Sequence, residues 1–158
     1  MKLNYVIIPL ITILVAFAGS QLTQSGLKKW YKTLKLPSLA PDGSIIGAVW
    51  TAIYILAAIS ALIVWNSSAI LHDDPIFSVI VSMLFINAVI NVSWSFLFFS
   101  LHMIEWAGIT SAALGLSVLA LIMLIFPISV LAAVLLVPYL VWVCFATYLN
   151  YLIWDLNK

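Results

Sequence analysis

Asn87, Asn91 and Ser95 recur every four residues inside an apolar run, and Trp94 stands three residues beyond Asn91, so three hydrogen-bonding groups and an indole share one side of a helix. Trp50 and Tyr54 repeat the four-residue step in a second apolar run, and Pro138, Trp142, Ala146 and Asn150 repeat it in a third. Unpaired amides are costly in hydrocarbon, and small residues pack membrane helices more closely than indoles do. Gathered around one space, these groups form a slot for a flat apolar ligand with a few polar groups. The rings stack on it while amides and hydroxyls meet its edge. A structural use competes at Asn87 and Asn91, because amides also join neighbouring helices at about 0.6 kcal/mol each.

Other chemistry is thin. His102 and Glu105 lie three apart near the end of a segment, a spacing that binds metals, but no second histidine or carboxylate joins them in the membrane runs and solvation explains them better. His72, Asp73 and Asp74 form a short polar loop with the same reading. Cys144 is the only cysteine, which excludes an intramolecular disulfide and a cysteine metal cage. The sequence has no serine–histidine–aspartate arrangement, phosphate-binding glycine loop or redox cysteine pair. No ionisable residue lies deep in a span, which argues against a proton-coupled pump. We therefore expect no metal and no required cofactor. A net charge of +1 without any arginine leaves no footprint for nucleic acid.

The elements that must position these residues follow from composition. The 158 residues are 66% hydrophobic and 7% charged, against about 25% charged in soluble domains. Apolar segments at about 3–22, 44–66, 76–100, 107–126 and 129–154 are each long enough to cross roughly 30 Å of hydrocarbon. They are continuous rather than alternating, which selects helices over a barrel. The expected fold is an all-α membrane protein with a single domain over 1–158: a five-transmembrane-helix bundle with a long loop between helices 1 and 2. Lys2 and Ala16-Phe17-Ala18 before Gly19 also resemble a cleavable signal peptide, but Asn4, Pro9 and Thr12 dilute its apolar region and the segment is kept as a span.

The loop at 23–43 holds Lys28, Lys29, Lys32 and Lys35; with Lys158 on the same side and Lys2 opposite, lysines divide five to one. That places the N-terminus outside and the C-terminus in the cytoplasm. Pro37, Pro41 and Gly43 punctuate this loop, Leu27 to Leu36 is expected to form a short interfacial helix, and the whole segment is expected to act as a lid. At about 1.5 Å per residue, Trp50 and Trp94 lie roughly 9 Å from the lysine-loop end, Asn91 about 13 Å and Trp142 about 18 Å, so the slot belongs to the cytoplasmic half. Trp30, Trp65, Trp106 and Trp154 read as interfacial anchors. Small-residue pairs at Gly108/Ala112, Ser111/Gly115 and Ser78/Ser82 allow close packing within the bundle or in a homodimer. Pro138 is expected to kink the fifth helix.

Pro138-Tyr139-Leu140-Val141-Trp142, Phe145-Ala146-Thr147-Tyr148-Leu149-Asn150-Tyr151, Asn91-Val92-Ser93-Trp94-Ser95, Phe98-Phe99, Val49-Trp50-Thr51-Ala52-Ile53-Tyr54 and Trp30-Tyr31 follow one another along nearly the whole chain. In order and spacing they resemble the TspO/MBR family, the tryptophan-rich sensory proteins. The resemblance implies a five-helix bundle, often dimeric, that binds porphyrins such as protoporphyrin IX and, in animal members, cholesterol and benzodiazepine-type drugs. Bacterial members are linked to tetrapyrrole sensing, stress responses and light-dependent porphyrin breakdown. By the same resemblance Trp50 and Trp142 match pocket tryptophans, and Tyr31 and Pro41 match lid residues. Tyr54, Asn91, Ser95 and Ala146 match the lining, and Asn87 and Trp94 occupy neighbouring positions. Where the family lid usually reads Lys-Pro-Ser-Trp-x-Pro-Pro-Gly, this chain has Leu36-Pro37-Ser38-Leu39-Ala40-Pro41-Asp42-Gly43. The C-terminal cholesterol-associated pattern is incomplete, because Tyr151 reaches Lys158 only after six intervening residues.

The leading expectation is a binding and sensing protein for porphyrin-type tetrapyrroles, with membrane lipids and a homodimer partner around it. Two alternatives use the same slot. In one, the chain is an enzyme degrading porphyrin by light, with Trp50 and Trp142 taking part in photo-oxidation. In the other it transports porphyrin or lipid, although no repeat, broken helix pair or coupling-ion site is visible.

Overall fold

Runs of leucine, isoleucine, valine and alanine without charges leave the backbone one way to satisfy itself in lipid, by bonding within each segment. The computed structural model, which describes residues 3–27 and 30–158, is all-helical. It has five helical spans long and apolar enough to cross a membrane, and the chain is an integral membrane protein. Helix α1 covers Asn4–Leu27, α2 Gly43–Trp65, α3 Pro75–Ser95 and α4 Ile104–Ile125. The fifth span is divided into α5 (Val130–Leu135) and α6 (Val137–Asn157). Local signals start two of these helices. Asp74 accepts from the Ile76 amide at 2.7 Å with Pro75 in the first position, and Ser129 caps α5 through the Ala132 amide at 3.3 Å.

The bundle closes in the order α1, α2, α5/α6, α4, α3 and back to α1. α4 and α6 form its tightest seam. A Cβ on Gly108 would sit 3.8 Å from that of Asn150, a Cβ on Gly115 would sit 3.5 Å from Val143, and the Ser111 and Thr147 hydroxyls bond across the seam at 2.8 Å. Gly108, Ser111 and Gly115 therefore serve packing within the chain, whereas Ala112 is exposed. Phe85, Leu116, Met123 and Val141 point outward, where lipid replaces water as their solvent.

Three local expectations change. Leu27 ends α1, and the described residues 30–36 hold no further α-helix: a single 3-10 turn at Tyr31–Thr33 gives way to extended backbone at Leu34. Pro37 disfavours helix at the residue before it, and the extended strand is held from outside. Asn157 accepts from the Lys35 amide at 2.9 Å and donates to the Lys35 carbonyl at 3.0 Å. Of the lysines used for orientation, Lys2, Lys28 and Lys29 lie outside the described residues.

The second change is at Pro138. It does not kink a continuous helix but sits in the first turn of α6, where its missing N–H removes nothing. The break precedes it. The Leu136 amide bonds to Ala133 rather than Ala132, and the Ala132 carbonyl accepts from Ser60 of α2 at 2.8 Å instead. Third, α3 does not run uniformly to its end. It passes into a π turn at Phe96–Ser100, closed by the Leu101 amide on Phe96 at 3.0 Å, and His102 follows with φ 59°, in the left-handed region.

Candidate ligand-binding cavity

A cavity of about 590 Å³ opens between α1, α2, α3 and α6 at the long-loop end, within the range of roughly 300–1,000 Å³ common for small-molecule sites. Nine of the ten residues singled out from the sequence line it: Tyr31 and Pro41 from the loop, Trp50 and Tyr54 from α2, Asn91, Trp94 and Ser95 from α3, and Trp142 and Ala146 from α6. Asn87 does not. It stands one turn deeper, behind the cavity wall.

The aromatic wall is continuous. The Trp50 ring lies 5.6 Å from that of Tyr54 and 6.5 Å from that of Trp94, measured between centroids. Trp94 stacks on Phe98 at 5.7 Å with an interplanar angle of 19° and meets Phe99 edge-on at 5.8 Å. Phe98 and Phe99 belong to the π turn, whose extra residue brings both rings to the same side as Trp94; such turns recur at functional sites. Trp142 lines the cavity from α6, paired with Phe145 at 5.5 Å. Trp30 is more than an interfacial anchor. It stacks on His102 at 4.2 Å and meets Phe98 edge-on at 5.4 Å, which ties the loop to the π turn. His102 thereby has a packing role, and among the described residues no cluster of three metal-binding side chains occurs.

Behind this wall runs a one-way relay of hydrogen bonds. The Tyr54 hydroxyl donates to Asn91 Oδ1 at 2.8 Å, and Asn91 Nδ2 donates to the Tyr139 oxygen at 3.0 Å. Tyr139 in turn donates to Asn87 Oδ1 at 3.1 Å, Asn87 Nδ2 donates to Ser117 at 2.8 Å, and Ser117 ends the chain on the Leu114 carbonyl at 2.7 Å. Four helices contribute, and the direction is set by that last carbonyl, which can only accept. Tyr54 has thus given its proton inward and presents lone pairs to the cavity.

Three cavity residues also carry buried polar atoms with no partner: Trp94 Nε1, Trp142 Nε1 and Asn150 Oδ1. Each such group costs about 1–3 kcal/mol if it stays unpaired. Two are donors and one is an acceptor. Tyr31, in the long loop, is half-buried, and desolvation raises its phenol above its ordinary pKa, so it lines the cavity as a neutral hydroxyl.

The contribution of α1 escaped the sequence analysis. Ala16, Gly19, Ser20 and Thr23 line the cavity, and their three- and four-residue spacing marks a face of small side chains. That spacing was a usable signal, although it carries no aromatic or amide to draw attention. Asn150 was visible only as the last member of the Trp142 stripe, and Tyr139 and Ser117, which carry the relay, gave no sign of it.

The chain matches the TspO/MBR family over residues 7–155. It is similar to the tryptophan-rich protein TspO of Archaeoglobus fulgidus, 32% identical over 148 residues covering 94% of this chain and 93% of the relative. The corresponding protein of Chlorobaculum tepidum is 34% identical over 148 residues, with 90% and 89% covered. The human translocator protein is 28% identical over 141 residues, with 89% and 82% covered.

Proposed function

Because the chain belongs to the TspO/MBR family, we propose that it binds and senses porphyrin-type tetrapyrroles in the cavity between α1, α2, α3 and α6. The observation that carries this reading is the pairing of an aromatic wall with the unpartnered indole N–H groups of Trp94 and Trp142 and the unpartnered Asn150 oxygen. A flat macrocycle stacks on the rings. Its carboxylate side chains accept from the indoles. Lysine placement supports an outward N-terminus and a cavity in the cytoplasmic half, and with the family resemblance it supports a prokaryotic plasma membrane.

Protoporphyrin IX titrated into the reconstituted chain, followed by quenching of tryptophan fluorescence, tests the reading. Trp50→Phe removes part of the stacking surface, and Trp142→Phe and Trp94→Phe each remove a free N–H as well. An aromatic contact contributes roughly 0.5–1.5 kcal/mol beyond burial, so each change is expected to weaken binding about two- to tenfold. Trp94→Phe also deletes an unpaired buried donor, so its thermal stability should hold or rise while affinity falls. Unchanged affinity in all three variants would reject the proposal.

A further inference from the structure

At the end of the bundle opposite the long loop, a second cavity of about 750 Å³ lies between the first turns of α1, the end of α2 and the α2–α3 connection. Its walls divide by depth. Ile7, Ile8 and Ile11 of α1 and Val81 of α3 line an open apolar groove, in which Ile7, Ile11 and Val81 are exposed. Asn4, Ser67 and His72 surround its outer end.

Asn4 is only 7% exposed, yet its Nδ2 has no partner. Ser67 accepts from the Ala69 amide at 3.1 Å, which leaves its hydroxyl proton to donate elsewhere. The N-terminal end of α1 adds the positive end of its dipole. The rim is rigid on its other side: His72 bonds the Trp65 carbonyl through Nε2 at 3.0 Å and packs on Phe77 with ring centroids 4.7 Å apart.

We propose that this second cavity is a specific site for one glycerophospholipid of the surrounding leaflet. An acyl chain lies in the isoleucine groove, and an ester carbonyl or phosphate oxygen accepts from Asn4 Nδ2 and the Ser67 hydroxyl. The occupant must combine a long apolar tail with oxygen acceptors at its head, and it must reach the site from the bilayer. Diacyl lipids meet all three conditions. The inference rests on membrane residence alone and is independent of what the first cavity holds.

The test uses the whole chain, delipidated in detergent and melted with and without dioleoylphosphatidylcholine. Wild type is expected to gain stability on adding lipid. Asn4→Leu, freed of an unpaired amide, should melt at or above wild type without lipid, and its apparent lipid affinity should fall about fivefold for one lost hydrogen bond. Equal lipid-dependent increments in the two proteins would overturn the proposal, as would an equal increment from oleate alone. On wild type, phosphatidylcholine bearing a diazirine in one acyl chain should label Ile7, Ile8 and Ile11 in preference to Leu119 and Met123, which face lipid at similar depth on α4. Even labelling would also overturn it.

Discussion

Asn91 shows how one side chain can belong to both a wall and a scaffold. Its oxygen accepts from Tyr54 on the cavity side, and its amide donates to Tyr139 on the other. Tyr139→Phe therefore strands two groups at once, the Asn91 amide and the Asn87 oxygen. The expected loss is about 1–2 kcal/mol, measurable by thermal unfolding in detergent. Protoporphyrin affinity should drop as well, because Asn91 can turn and Tyr54 can redirect its proton. Ser117→Ala strands only the Asn87 amide, remote from the cavity, so it should lower stability while leaving affinity alone. The four-residue amide spacing was legible in the sequence and put Asn87 and Asn91 on one face. What was not legible is that they differ by a layer, since that depends on where Tyr139, some fifty residues later, delivers its hydroxyl.

At the scale of elements, the junction of α1 with the π turn sets the shape of the cavity. A Cβ on Gly26 would lie 2.6 Å from the Phe99 carbonyl oxygen and 2.8 Å from the Phe99 Cβ, so α1 approaches this turn as only glycine permits. Gly26→Ala must displace either α1 or the backbone that carries Phe98 and Phe99. We expect a loss of about 1–3 kcal/mol in thermal unfolding, together with weaker porphyrin binding. Gly43→Ala is the control: a Cβ there meets nothing within 4 Å, and the fold should keep its stability. Apolar length found all five spans, with ends within about five residues, because hydrophobic length is a property of each segment alone. It could not find the π turn or the break before α6. Both are local departures from regular hydrogen bonding that depend on other helices, as the bond from Ser60 to the Ala132 carbonyl shows.

For the molecule as a whole, the long connection is attached at both of its working points. Trp30 seats on His102 beside the π turn, and Asn157 grips both backbone groups of Lys35 from the last turn of α6. The lid departures fit this arrangement. Leu36 and Leu39 are exposed, whereas Leu34 and Ala40 pack against the Phe98 and Phe99 cluster, so the two leucine departures lie off the face by which the loop touches the bundle. Asn157→Ala should release the strand at Lys35 without disturbing the cavity walls. Stopped-flow displacement is then expected to show protoporphyrin leaving about fivefold faster, with new proteolytic cleavage between residues 34 and 42 and little change in thermal stability.

Membrane residence, five helices and an aromatic stripe on three of them were determined by the sequence, because each depends on residue type and spacing within one segment. Kinship to the TspO/MBR family was equally local, carried by short motifs in order. The tertiary structure decided which polar groups are satisfied and which are left over. Tyr54, Asn91 and Asn87 find partners across four helices, while Trp94, Trp142 and Asn150 retain atoms that find none. Pairing is a relation between segments far apart in the chain, so no reading of one helix could separate the amides that hold the bundle together from the groups left unpaired.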